Sequence, residues 1–97
     1  MVAYDFKVPG GEWRSTHGDL SAEGASFITS SSIIAKLIIM KIRVPAYADE
    51  IVATAVVVSQ RQLEDGSSKL GLAFIDVEVD AQLAIAEWVD FKARANA

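Results

Sequence analysis

Three residues at a fixed spacing, Asp19, Ser21 and Gly24, form the pattern in this sequence that is best suited to chemistry. A carboxylate and a hydroxyl can accept hydrogen bonds from the N–H groups of a ligand such as a nucleobase. A glycine permits backbone conformations, or the close approach of a ligand, that a side chain would forbid. The same residue types also hold ordinary turns, because Asp and Ser side chains bond nearby backbone N–H groups. The pattern therefore fits either half of a nucleotide site or a purely structural turn.

The other polar residues form no recognisable catalytic or metal-binding set. His17 is the single histidine, and no second ligand type lies near it at metal-binding spacing. The carboxylate pairs Asp49–Glu50 and Glu64–Asp65 fall in predicted loops, where we interpret them as solvated turn residues. No nucleophile–base pair and no glycine-rich phosphate loop is evident. We therefore predict a chain that is not an enzyme and that has no catalytic residue, metal site or resident cofactor.

Composition limits the partners of the chain. Its 97 residues, with 52% hydrophobic and 23% charged positions, fit one compact domain over residues 1–97. The net charge of −4 argues against binding to DNA, RNA or an anionic membrane, because these attract proteins with an excess of Lys and Arg. No apolar run is long enough to span a bilayer, and no signal peptide is evident at the start. Together with the absence of cysteine, these features predict a cytoplasmic protein.

Alternating apolar residues predict six strands, which must position the turn at residues 19–24. The strands are expected at about residues 2–8, 13–20, 25–29, 35–44, 50–62 and 69–77. The fifth strand is rich in β-branched residues without a breaker, and it is predicted to be buried on much of both faces. Asp65 and Gly66 predict a hairpin turn between the last two strands.

After the sixth strand the hydrophobic period changes from that of a strand to that of a helix. Asp80 is the predicted N-cap of a helix over about residues 80–93. One stripe of this helix is predicted to face the core: Ala81, Ala84, Ile85, Trp88 and either Phe91 or Lys92. Trp13 could cap the barrel or stack on a purine or a protein partner, and the core is its expected location. Antiparallel strands joined by short turns favour a closed barrel over about residues 2–76, with the helix closing one end. The predicted fold class is therefore all-β with a C-terminal helix.

In its order of elements and in one motif, the chain resembles the PilZ domain family. Residues 19–24, Asp-Leu-Ser-Ala-Glu-Gly, match the family's Asp-x-Ser-x-x-Gly motif. The strands "KLIIMKIRV" and "KLGLAFIDV", the latter before a terminal helix, continue the pattern, and the resemblance covers roughly residues 2–92. It implies a six-stranded antiparallel PilZ-like β-barrel. Many PilZ domains bind the bacterial second messenger cyclic di-GMP, so the resemblance implies that Asp19, Ser21 and Gly24 are ligand-binding residues.

The arginine half of that family's binding site is missing from this sequence. Ligand-binding members carry an Arg-x-x-x-Arg motif before the first strand, and no such spacing occurs here. The first predicted strand begins at Val2, which leaves no room for the segment. Cyclic di-GMP is a dianion, and its phosphates and guanines suit the planar fork of arginine. We therefore expect the site to be weak or non-binding on its own.

Three functions are open at this point. The first is a non-enzymatic bacterial signalling module with a half-retained cyclic di-GMP site. The second is a competent cyclic di-GMP receptor, completed by residues outside this chain or by Lys7 and Arg14. Arg14 and Asp19 differ by an odd number of positions, so an unbroken strand places them on opposite faces unless Gly18 breaks the alternation. The third is an adaptor that works without nucleotide, through a protein partner or a homo-oligomer.

Overall fold

The structure is a computed structural model that describes residues 2–30, 35–45, 47 and 49–95. The elements in chain order are β1 (Val2–Lys7), β2 (Arg14–Leu20), β3 (Gly24–Thr29), β4 (Leu37–Ile42), β5 (Ile51–Gln62), β6 (Ser68–Asp76) and α1 (Val79–Ala95). The six strands pair antiparallel and close into a barrel in the order β1-β2-β3-β6-β5-β4. The predicted six-stranded antiparallel barrel with a C-terminal helix is therefore confirmed.

The interior of the barrel is filled by alternate residues of its strands. Tyr4 and Phe6 of β1 contact Phe27 of β3, with ring centroids 5.8 and 4.5 Å apart. On β4, Ile38 and Met40 are completely buried, as the alternation of that strand predicts. If the paired residues are followed from one strand to the next once around the barrel, the path returns to β1 about ten residues from the residue at which it started. An offset of this size means that the strands are steeply tilted against the barrel axis.

Helix α1 covers the end of the barrel at which β1 begins and β2 ends. Three of its residues are buried in the core: Ala81, Ala84 and Ile85. The Gln82 side chain donates a hydrogen bond to the carbonyl of Ala22, 3.0 Å away, and so joins the helix to the turn between β2 and β3. The predicted position of the helix at one barrel opening therefore agrees with the structure.

The predicted N-cap at Asp80 is wrong by two residues. The helix begins at Val79, and the carbonyl of Glu78 accepts the N–H of Gln82 at 2.9 Å, which makes Glu78 the capping position. Asp80 lies in the first turn, where a carboxylate is also favoured by the helix dipole. An acidic residue at this end of a helix therefore does not by itself identify the cap.

The prediction that β5 is buried on both faces is wrong. Ile51, Ala53 and Ala55 face the interior, whereas Val52 is 58% exposed and Val58 is 64% exposed. A closed barrel has one interior, so each of its strands buries only alternate residues even when every residue is apolar. The outer face of β5 is consequently an exposed apolar surface.

The two tryptophans differ in their surroundings. The prediction that Trp13 lies in the core is wrong, because its side chain is 37% exposed and the ammonium groups of Lys7 and Lys41 lie 5.0 and 4.2 Å from its ring centroid. Trp88 packs against the core as predicted. The helix stripe ends at Lys92, whose ammonium is 5.0 Å from the Trp88 ring, and Phe91 is 64% exposed.

The turn predicted at Asp65 and Gly66 is confirmed. Gly66 has a φ of +88°, a conformation that favours glycine, and the N–H of Leu63 donates to the carbonyl of Ser67 at 2.7 Å. The hydroxyl and the N–H of Ser67 both donate hydrogen bonds to the Asp65 carboxylate. These bonds, the one from the hydroxyl more than the one from the N–H, lower the pKa of Asp65. This hairpin lies at the barrel end opposite α1.

Candidate functional site

Ser21 holds the turn between β2 and β3. Its Oγ accepts the N–H groups of Gly24 and Glu23 at 3.2 and 3.3 Å and donates to the carbonyl of Gly24 at 3.2 Å. The N–H of Ser21 donates to the same carbonyl at 2.9 Å. Both the proton and the lone pairs of the hydroxyl are thus engaged within the turn, so contact with a ligand would require breaking one of these bonds.

Gly24 is placed where the backbone of β6 passes beside it. A Cβ on this residue would lie 1.9 Å from the carbonyl oxygen of Leu72 and 3.2 Å from the Cα of Ala73. Its φ is not positive, whereas those of Gly10 and Gly66 are. The close approach expected at this glycine is therefore made by the protein's own strand.

Asp19 is the motif residue that remains available to a ligand. It is exposed on the outer face of β2 opposite Ser26 of β3, and no described residue forms a hydrogen bond or ion pair with its carboxylate. On the inner side, the Tyr4 hydroxyl donates to the carbonyl of Ser26 at 2.6 Å, in space that a side chain at Gly18 would occupy. Burial, and then the charge of Asp19, raise the pKa of Tyr4.

A groove of about 400 Å³ runs along the outside of the motif. The described residues that line it include Asp19, Glu23 and the exposed Val58 of β5, and none of them is Lys or Arg. A phosphate group in this groove would meet two carboxylates and no opposite charge. The groove therefore offers hydrogen-bond acceptors for a base but nothing that neutralises a dianion.

Two lysines that the sequence did not single out line neighbouring depressions that also include Asp19. Lys69 of β6 lines one of about 370 Å³, and Lys92 of α1 lines one of about 180 Å³. Lys69 reaches this surface because β6 pairs with β3, where it lies opposite Ile28. No local pattern predicts this proximity, because it depends on pairing between strands that are far apart in the sequence.

Lys7 and Arg14 lie at the barrel end opposite the motif. Lys7 is the last residue of β1 and Arg14 is the first of β2, so both adjoin the β1–β2 turn, whereas the motif is the β2–β3 turn. Five strand positions separate Arg14 from Asp19, which is about 17 Å at the usual rise. The pairing of β2 is unbroken at Gly18, so the alternation holds and the structure brings neither cation to the motif.

Neither a metal-binding cluster nor a membrane-spanning helix is present in the part of the chain that the structure describes. Within it, no group of three or more His, Asp or Glu side chains is arranged to hold a metal ion, and His17 is exposed. None of the described helices is long and apolar enough to cross a membrane. The motif groove, which Asp19, Ser21 and Gly24 line, is the candidate site.

Comparisons with known proteins identify the family. The model of the PilZ domain matches residues 1–91. The structure of the Bacillus subtilis inhibitor of motility (MotI/DgrA) is similar with a TM-score of 0.79 and 17% sequence identity, over 97% of this chain and 47% of that one. At this identity the likeness shows a shared fold, and the chain spans about half the length of that protein. No curated protein sequence is significantly similar to the chain. Because the family match extends over nearly the whole sequence, the chain belongs to the PilZ domain family.

Proposed function

We propose that the protein is a non-enzymatic, cytoplasmic signalling module of PilZ type whose own residues hold cyclic di-GMP weakly or not at all. The observation that carries the proposal is the motif groove, whose described lining includes Asp19 and Glu23 and no basic residue. The PilZ family is one of receptor and adaptor domains, which supports a signalling role rather than a catalytic one. Ser21 and Gly24 then serve the turn that they build, and Asp19 is the motif residue left open to a ligand.

The expected weakness follows from the contacts that are missing. A hydrogen bond to a charged group contributes about 1.5–3 kcal/mol, so the absence of two arginine contacts removes on the order of 3–6 kcal/mol. Each 1.4 kcal/mol changes affinity tenfold, which makes binding roughly one hundredfold to ten thousandfold weaker. A site that would otherwise be micromolar is then expected in the range of about 0.1–10 mM.

A competent receptor is the alternative that one observation favours. The Asp19 carboxylate is exposed and no described residue pairs with it, so it can accept the N–H groups of a guanine. Lys7 and Arg14 adjoin the other barrel end. The cations would therefore have to come from Lys69 and Lys92 in the neighbouring depressions or from residues outside this chain. An adaptor that acts through a protein partner or a homo-oligomer, without nucleotide, is the further alternative, and the exposed apolar face of β5 favours it.

Isothermal titration of the chain with cyclic di-GMP tests the proposal. We expect no saturable binding at micromolar ligand. Micromolar binding that is lost in Asp19→Ala and kept in Glu64→Ala would overturn the proposal in favour of a competent receptor. Glu64 is the matched control because it is an exposed acidic residue in the β5–β6 hairpin, outside the described lining of the motif groove.

A further inference from the structure

Four residues form a row across the outer surface of the barrel, with opposite charges at its two ends. Lys7 pairs with Ile39, Ile39 pairs with Thr54, and Thr54 pairs with Asp76. The row spans three strand spacings, or about 14 Å. The strands are steeply tilted against the barrel axis, so a row perpendicular to the strands runs largely along that axis and only partly around the barrel. Both ends of the row therefore lie on one side of the molecule.

The surface around this row is apolar. Five residues on the outer faces of β4, β5 and β6 make up what we call the apolar strip: Leu37, Ile39, Val52, Val56 and Ile75. Of these, Leu37 is 41% exposed, Val52 and Ile75 are each 58% exposed, and Ile39 and Val56 between them are half-buried. The solvent face of an antiparallel sheet is normally polar, and contiguous exposed apolar residues mark interaction sites.

The charges at the two ends of the strip are opposite in sign. At the β1 end, the ammonium groups of Lys7 and Lys41 converge on the ring of Trp13. Lys41 lies 3.9 Å from Glu50 and is paired in register with Asp5 of β1, so the uncompensated charge at this end is that of Lys7, which forms no ion pair with any described residue. At the β6 end, where the chain enters α1, three exposed carboxylates follow one another closely: Asp76, Glu78 and Asp80.

We propose that a second copy of this chain covers the apolar strip in a twofold-symmetric dimer. The twofold axis lies in the plane of the interface, perpendicular to the row and through its middle. A half-turn about it lays the two strips face to face and brings Lys7 of each copy opposite Asp76 of the other. The surface is thus complementary to itself in both charge and apolar character, which is what an isologous interface requires. A strip with the same charge at both ends would instead repel its copy.

The dimer is expected to be weak and sensitive to salt. The strip has five apolar residues, whereas a standard interface uses roughly 20–30 residues per partner, so we expect a dissociation constant in the micromolar range. Charges at an exposed rim are screened by ions, so added salt should lower the affinity. This inference does not depend on whether cyclic di-GMP binds.

Sedimentation velocity over a range of protein concentrations tests the interface. The wild-type mass should rise with concentration towards twice the 10.4 kDa of one chain, whereas Ile75→Asp should stay at one chain mass. Ile28→Asp is the matched control, because Ile28 is a 52% exposed isoleucine on the outer face of β3, away from the strip. Val52→Asp provides a second strip variant, and circular dichroism confirms that each variant folds.

Charge exchange tests the symmetry of the dimer. Lys7→Glu and Asp76→Lys should each weaken dimerisation by about tenfold. Each change replaces the contact between opposite charges at positions 7 and 76 with a contact between like charges. The double variant should recover to within a few-fold of wild type, because each end again meets an opposite charge. A wild-type chain that stays monomeric at the highest protein concentration measured would overturn the proposal. Dissociation by Ile28→Asp, persistence of the dimer in both strip variants, or an additive double variant would also overturn it.

Discussion

Replacing Gly24 with alanine separates a glycine kept for the fold from one kept for a ligand. The added Cβ would lie 1.9 Å from the carbonyl oxygen of Leu72, whereas real Cβ atoms essentially never come closer than 3.0 Å. The obstacle is backbone and cannot rotate away, so β3 and β6 must separate by about 1 Å. That movement disturbs the pairing of Gly24 with Ala73 and the hydrogen bond from Phe74 N–H to the carbonyl of Glu23, now 2.8 Å long.

The free energy of unfolding should fall substantially in Gly24→Ala. Overpacking costs about 1–3 kcal/mol, and each weakened backbone hydrogen bond adds about 1 kcal/mol. The expected loss is therefore about 3–5 kcal/mol, a large part of the roughly 5–15 kcal/mol that stabilises a domain. In urea unfolding followed by circular dichroism, a slope of about 1.5 kcal/mol/M converts this loss into a midpoint lower by about 2–3 M.

Gly71→Ala is the matched control for this prediction. Gly71 is also a strand glycine of the β3–β6 pair, but a Cβ there meets the side-chain hydroxyl of Ser59, which can turn aside. Its midpoint should change by less than about 1 M, since strand glycine replacements without a backbone obstacle cost little. Equal losses in the two variants, or an unchanged midpoint in Gly24→Ala, would refute the argument that β6 dictates the motif glycine.

Three further predictions concern the turn, the buried phenol and the groove. Ser21→Ala should lower the free energy of unfolding by about 0.5–2 kcal/mol in urea titrations, because the turn N–H groups lose their acceptor. Burial raises the pKa of Tyr4, so the stability tied to its protonated form is complete below the unfolded pKa of about 10 and falls as the pH rises above it. Tyr4→Phe should flatten that alkaline decline in melting experiments. Tyr47→Phe should flatten it less, because the Tyr47 hydroxyl donates to Glu78 in an exposed position. Val58→Arg, which adds a cation to the motif groove, should strengthen cyclic di-GMP binding by about tenfold or more in calorimetry, whereas Val58→Leu should leave it unchanged.

The features that could be predicted from the sequence are those set by residues close together in the chain. The alternation of β1 and β4 identifies Tyr4, Phe6 and Met40 as interior residues, because successive side chains of a strand point to opposite faces. The Asp65–Gly66 turn follows from the backbone freedom of glycine and from the carboxylate that bonds Ser67. These local rules, with the change of period before α1, were enough for the architecture of the barrel.

The features that could not be predicted depend on contacts between distant strands. The need for glycine at position 24 comes from Leu72 of β6, and the same β3–β6 pairing brings Lys69 beside the motif surface. Trp13 is apolar enough for a core, but it follows the β1–β2 turn on the outside of the barrel, where the ammonium groups of Lys7 and Lys41 lie over its ring. Residue type and local period do not determine which face of a closed barrel a residue occupies near a turn.

The central claim is that the motif of this chain builds a turn and does not by itself hold a dianionic dinucleotide. Its most direct test is a ¹⁵N–¹H NMR titration of the chain with cyclic di-GMP, followed at the backbone amides of residues 19–24. The account predicts no saturable shift of these amides at micromolar ligand. Shifts centred on Asp19 that saturate at micromolar ligand and vanish in Asp19→Ala would contradict it.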